Sequence, residues 1–427
     1  MSNVFLKELT ELVSNGIINN ETAEKIRQYY TKKEIESPNR LFVIFGVLGA
    51  VLGGLGIILI LAHNWDNFST SVKSTFSFFP LILGQLFCLY SILYKKDSKV
   101  WTESSATFLL FAIAASISLV AQVYNIQGEF KNFLLTWILL SLPMVYIMHS
   151  SFVSLLCVVG ITWYGCITNY GYPKENGWYH WILFSTILPH YKEQIINFPK
   201  QNFTRFHHWF YAIAALICLP TISNKDNGIL AIGFISMLTI FYLIGKNDYF
   251  NKNNQQRNAY WLIGKLGILI MFFSFGFKAI WNDLLQANFS LLTIDSYIYL
   301  MLFIVCILIY MKSYIKRRLI DQNPIGLGFI IITILYSINQ IMSYSIAVTV
   351  INLYILLIGV FEIKKGSEFN NIYKLNFGLL TISTLIICRF FDTEMSFIVR
   401  GILFLIIGIG FFALNYYLIR KKKNDEI

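Results

Sequence analysis

The chain has 427 residues, of which 56% are hydrophobic and 13% charged, with a formal net charge of +11 and a mean hydropathy of +0.59. Soluble domains carry about 25% charged and about 45–50% apolar residues. A soluble enzyme, a disordered chain and a disulfide scaffold are excluded together, which leaves a polytopic membrane protein.

Residues 1–37 predict a small cytoplasmic amphipathic helical hairpin. Phe5, Leu6, Leu9, Leu12 and Val13 recur at helical spacing, and Gly16 supplies a left-handed stop. Asn19 or Asn20 then caps a second helix with Ala23, Ile26, Tyr29 and Tyr30 inward, before Ser37-Pro38-Asn39 breaks it. The hairpin reads either as a regulatory head, open to a cytoplasmic partner or an oligomer contact, or as an element lying along the membrane surface. Residues 38–419 form the transmembrane helical domain, and 420–427 a basic cytoplasmic tail.

A spanning helix needs about 20 mostly apolar residues to cross roughly 30 Å of hydrocarbon. About fourteen spans are expected: Leu41–Ala62, Phe76–Tyr94, Ser104–Asn125, Asn132–Met148, Ser151–Thr168, Trp178–His190, Phe206–Ile222, Asn227–Gly245, Ala259–Trp281, Leu292–Met311, Pro324–Ser343, Ser345–Ile363, Ile372–Phe390 and Ser396–Leu418. The runs are continuous and lack period-two alternation, so the fold class is an all-α transmembrane bundle and not a barrel. Trp178–His190 is short unless it extends towards Lys192. Leu41–Ala62 follows forty polar residues and is expected to act as an uncleaved internal signal.

The basic residues test that count. With a cytoplasmic N-terminus and alternating spans, 26 of the 34 Lys and Arg fall in inner segments, from Lys7 and Lys95 through Lys192, Lys246, Lys312 and Lys364 to Arg420. Only Lys73, Lys131, Lys174 and Lys225 fall in outer loops. That asymmetry is the positive-inside pattern, and it puts both termini in the cytoplasm. The excess charge then reports orientation and contact with anionic lipid, not nucleic acid. The six cysteines lie within apolar spans with no C-x-x-C pair and read as small packing residues.

Four polar clusters sit at outward span ends. They are His63-Asn64-Trp65-Asp66; Gln122 to Glu129 with Tyr124 and Gln127; Lys278 with Trp281, Asn282 and Asp283; and Arg389-Phe390-Phe391-Asp392 with Arg400 in the last span. His63, Asn64, Asp66, Gln122, Tyr124, Gln127, Glu129, Arg389, Asp392 and Arg400 are the candidate ligand-binding residues. Gln122, Asn125 and Glu129 would form one polar stripe if their helix persisted to Gly128. Trp65, Tyr124 and Trp281 are expected as interfacial belt residues. Lys265 is expected to snorkel to the cytoplasm and Lys278 outward. Arg400 needs a partner, with Asp392, Glu394 or Asp66 within reach of the reading.

His149, His190 and His207-His208 are weak signals. No H-x-x-x-H or H-E-x-x-H motif and no P-loop is present, so neither a metal nor a nucleotide cofactor is implied. Gly46, Gly49, Gly53 and Gly56 stripe the first span for close packing. Ala279-Ile280-Trp281-Asn282-Asp283 faintly echoes Ala62-His63-Asn64-Trp65-Asp66, as duplicated halves would.

The head with Gly16-Ile17-Ile18, the motif Ala62-His63-Asn64-Trp65-Asp66 and the motif Ala121-Gln122-Val123-Tyr124-Asn125-Ile126-Gln127-Gly128 come in a recognisable order. Over roughly the first 130–150 residues the chain resembles a bacterial family of multipass membrane proteins of unknown function. That family carries Ala-x-Asn-Trp-Asp after the first span and Ala-Gln-x-Tyr-x-x-x-Gly at the end of the third. The resemblance implies a bacterial cytoplasmic (inner) membrane location and imports no activity.

Three functions remain in view. The first is a transporter or flippase-like binder of a small or lipid-linked ligand, using an outward polar cavity. The second is an outer-leaflet glycosyltransferase or acyltransferase, with His63 and Asp66 as base and Arg400 holding a phosphate. The third is an envelope scaffold or sensor. The midplane is poor in acidic residues, which counts against a proton- or sodium-coupled carrier.

Overall fold

The computed structural model describes residues 9, 11–27, 52, 67–170, 178–223, 228–252, 258–286, 293–316, 323–339 and 344–392, together with 398, 401, 402, 405, 408, 409, 412 and 416. The chain divides into two compact units, Met1–Phe76 and Ser77–Ile427. The first contains the hairpin, and its turn follows local chemistry. Gly16 sits at φ +68°, in the left-handed region that a residue without Cβ enters freely. Ile17 N–H donates back to Leu12 O at 3.0 Å, and Asn19 Oδ1 accepts from Thr22 N–H at 2.9 Å to cap the second helix.

All regular structure among the described residues is helical. In chain order the helices are α1 (Thr70–Tyr94), α2 (Lys99–Val123), α3 (Phe130–Ile147), α4 (Ser151–Asn169), α5 (Tyr179–Asn197), α6 (Asn202–Cys218) and α7 (Leu230–Gly245). Then come α8 (Asp248–Lys252), α9 (Ala259–Phe275), α10 (Lys278–Gln286), α11 (Ile294–Lys316), α12 (Gly328–Asn339), α13 (Tyr344–Glu368) and α14 (Ile372–Asp392). Seven of them, α1 to α4, α11, α13 and α14, contain a stretch long and apolar enough to cross a membrane. The expected spans Leu41–Ala62 and Ser396–Leu418 lie almost wholly outside the described residues. So does the first-span glycine stripe.

The packing inverts that of a soluble protein. Phe79, Ile82, Leu93, Met301, Leu308 and Leu353 point outward, while Ser77, Ser91, Ser105, Ser116, Ser141 and Ser154 are buried between helices. Lipid is as apolar as Leu, so helices associate through small residues that allow close approach. On α1 the buried face is Ser77, Gly84, Cys88 and Ser91. Cys157, Cys218 and Cys306 are buried as well.

Two large apolar cores form among the described residues. One is built from α1 to α6 and the other from α6 to α14, with α6 giving Ala214 and Cys218 to the first and Ala212 to the second. Glycine sets the tightest crossing, between α7 and α9. A Cβ on Gly264 would lie 2.4 Å from the Tyr242 nitrogen and 2.7 Å from Leu238 O, both backbone atoms. Gly264→Ala is therefore expected to destabilise the protein by about 1–3 kcal/mol through overpacking, read as a lower unfolding midpoint in detergent.

Near one end of the bundle Lys99 Nζ donates to Gln201 Oε1 (3.1 Å), Tyr249 to Ile195 O (3.2 Å) and Asn258 Nδ2 to Gly245 O (2.8 Å). Near the other, Tyr170 donates to Ile217 O (2.6 Å) and Tyr299 to Leu219 O (3.3 Å).

Three expectations are corrected. The ninth span is not continuous, because α9 and α10 meet at 88° across Gly276 and Phe277. Trp281 is not a belt residue. It is fully buried, and its indole N–H donates to Phe275 O at 2.7 Å, satisfying a carbonyl that the end of α9 sets free. The stripe through Gln122, Asn125 and Glu129 does not form. The α2 helix stops at Val123, Asn125 turns left-handed at φ +49°, and Ile126 N–H closes the end on Ala121 O at 2.8 Å.

Candidate functional site

Of the ten predicted site residues, His63, Asn64, Asp66 and Arg400 lie outside the described residues. Asp392 ends α14 with an undescribed side chain. Gln122, Tyr124, Gln127 and Glu129 are exposed around the α2–α3 turn, where Glu129 pairs with Lys131 at 2.6 Å. An exposed pair of this kind contributes little to stability.

Arg389 is placed more tellingly. It occupies the last turn of α14 and sets its guanidinium 4.7 Å from the centroid of the Phe277 ring, at the α9–α10 break. The point where a Cβ on Gly276 would stand is 3.0 Å from Asn352 Oδ1 and 3.4 Å from an Arg389 terminal nitrogen. Two of the four sequence clusters, those around Trp281 and Arg389, are thus joined at one broken helix. The end of α9 presents carbonyls there, and the start of α10 presents N–H groups.

A second constellation was missed by the sequence reading. Lys265 does not snorkel. Its side chain is 8% exposed, and Nζ lies 2.7 Å from Glu362 Oε1 on α13, whose side chain is 3% exposed. Asn323 Nδ2 donates to the same oxygen at 2.7 Å, while its Oδ1 accepts from Ile325 N–H at 3.1 Å. The Lys265 ammonium also stands 3.5 Å from the Phe377 ring centroid. A charge on an apolar helix is tolerated when it faces protein and a partner, and Glu362 is that partner. The signal was available, since Glu362 is an acid one residue inside the end of the expected span Ser345–Ile363.

A third group is aromatic. His190 and Tyr191 on α5, His207, His208 and Tyr211 on α6, and Tyr260 on α9 pack together, with Tyr191 and Tyr211 stacked at 4.5 Å between centroids. Histidines dismissed one by one in the sequence gather because α5 and α6 are adjacent. Among the described residues, no three of His, Cys, Asp or Glu are placed to hold a metal ion.

Residues 10–154 match a family model described as a predicted membrane protein (DUF2157). The chain is a membrane protein. The matched segment contains the positions of both motifs noted above, and its description assigns no activity. No curated protein and no solved structure matches the chain.

Proposed function

We propose that this protein is a multipass carrier or flippase-like binder of a small or lipid-linked ligand with an anionic group. The observation that carries this is the broken helix α9–α10 with Arg389 lodged against the break. Discontinuous membrane helices expose backbone donors and acceptors at depth, and transporters use them to hold ligands. A guanidinium beside freed helix ends selects carboxylate or phosphate. His63, Asn64, Asp66, Gln122, Tyr124, Gln127, Glu129, Asp392 and Arg400 remain the further candidate ligand-binding residues.

In this reading the chain has about fourteen spans and a bacterial inner-membrane location, with hairpin 1–37, membrane domain 38–419 and tail 420–427. The lysine-rich connections and both termini face the cytoplasm and its anionic lipids. The bent pair counts as one span, and α5, α6, α7 and α12 supply four further crossings.

Native mass spectrometry of the purified protein tests the binding. Wild type is expected to retain a lipid or metabolite adduct, and Arg389→Ala to weaken retention by about 10–100-fold, the worth of hydrogen bonds to a charged group. Equal retention by Arg389→Ala and wild type would remove the proposal. Cysteine labelling of the lysine-rich tail from outside the cell would remove the orientation.

A further inference from the structure

The histidine–tyrosine group has a use that the ligand reading at Arg389 does not absorb. His190, His207 and His208 are 1%, 0% and 2% exposed. Their tautomers follow from their partners. Nδ1 of His207 meets the carbonyl of Phe203 at 2.7 Å and must donate, so Nε2 accepts from the Ser154 hydroxyl at 3.0 Å. Tyr260 and Tyr191 hydroxyls lie 2.7 Å apart, and Tyr191 lies 2.6 Å from His208 Nδ1. With Tyr191 donating to Nδ1, His208 carries its hydrogen on Nε2.

That Nε2–H meets no acceptor among the described residues. The same holds for both ring nitrogens of His190, the Tyr211 hydroxyl and Gln194 Oε1. Gln194 lies one helical turn beyond His190 on α5, and the rings of His190, His207 and Tyr211 stand about 6 Å apart in succession. A buried polar atom without a partner is costly, and these five lie on two packed helices, α5 and α6. The set mixes donors with acceptors, and a metal arrangement is not present among the described residues. Water satisfies both kinds at once.

We propose that α5, α6 and α9 enclose a hydrated proton-exchange site. Ordered water links His208 Nε2–H to His190, and Tyr260 and Tyr191 connect that water to the end of the bundle where α9 begins. Tyr260, the least buried of Tyr260, Tyr191 and His208, serves as the entry. A proton bound at the Tyr260 oxygen releases that hydroxyl's own proton to the Tyr191 oxygen. Tyr191 passes its original proton to His208 Nδ1, and the Nε2 proton of His208 leaves to water. One O–H or N–H bond forms for each that breaks, no charge stays on the relay, and the return transfer restores the tautomer.

The chain has six histidines, so single His→Gln variants assign every ring signal of the full-length protein labelled with 15N-histidine. Magnetisation transfer from water to the ring N–H groups is the readout. His190 and His208 are expected to receive transfer from water, and Tyr191→Phe to slow proton exchange at His208 by about tenfold or more while water contact at His190 persists. Tyr260→Phe, at the accessible end, gives the same reading if Tyr191→Phe does not fold. Absence of water transfer to both rings overturns the hydrated site. Unchanged exchange at His208 in the folded Phe variant overturns the relay. Neither result bears on ligand retention at Arg389, so the two proposals fail separately.

Discussion

Replacing Lys265 by Met is expected to destabilise the protein by about 3–5 kcal/mol, because it strands a buried carboxylate. Glu362 would keep the amide of Asn323 at 2.7 Å and lose the ammonium that pairs with it. The double variant Lys265→Met/Glu362→Met is expected to recover most of that loss. Two charges held in a low-dielectric interior bring a desolvation penalty that a well-packed apolar pair does not carry. Reversible unfolding of the wild type, of Lys265→Met and Glu362→Met singly and of the double variant in mixed micelles measures these losses. A single-site loss below about 1 kcal/mol, the range of exposed pairs, would show that Lys265 reaches water after all. Full additivity of the two single losses would show that the partners do not act on one another.

Trp281→Ala is expected to cost about 3–5 kcal/mol by leaving a cavity in the core of the second helix group. It also strips Phe275 O of its donor at the break. Trp281→Phe keeps most of the ring against Phe275, 5.4 Å away between centroids, but loses the N–H. Its expected cost is about 1–3 kcal/mol, that of an unsatisfied buried carbonyl. The two variants also separate packing from function. If the bend places Gly276 and Phe277 against Arg389, Trp281→Ala lowers adduct retention and Trp281→Phe lowers it less. A Trp281→Ala protein with wild-type stability would mean that the indole sits at the lipid interface.

How much was legible depends on how local the cause is. The hairpin turn follows from Gly16 and Asn19, residues whose backbone preference and side-chain reach act within three positions. The helices follow from continuous apolar runs. Asn125 shows the limit of that reading, since the polar stripe was conditional on a helix to Gly128, and the helix stops at Val123, just before the left-handed Asn125. Trp281 near a span end has the composition of any interfacial tryptophan. Only the bend of α10 turns it inward.

Lys265 and Glu362 are 97 positions apart, and His190 and His207 come from different helices. Motif tests that look for ligands within one helix pass over both groups. Arg389 was named from its cluster, yet its placement on Phe277 requires α14 to return beside the end of α9.

Hydropathy along the chain was enough to establish a helical membrane protein, because bilayer insertion is decided segment by segment through side-chain transfer and backbone hydrogen bonding. Which polar groups meet was decided by the tertiary structure alone. Inside lipid the pairing of an ammonium with a carboxylate, or of one imidazole with another, depends on which helices are neighbours and how they are rotated. Small residues such as Gly264 set those contacts through close approach, a steric matter that carries no trace in average hydropathy.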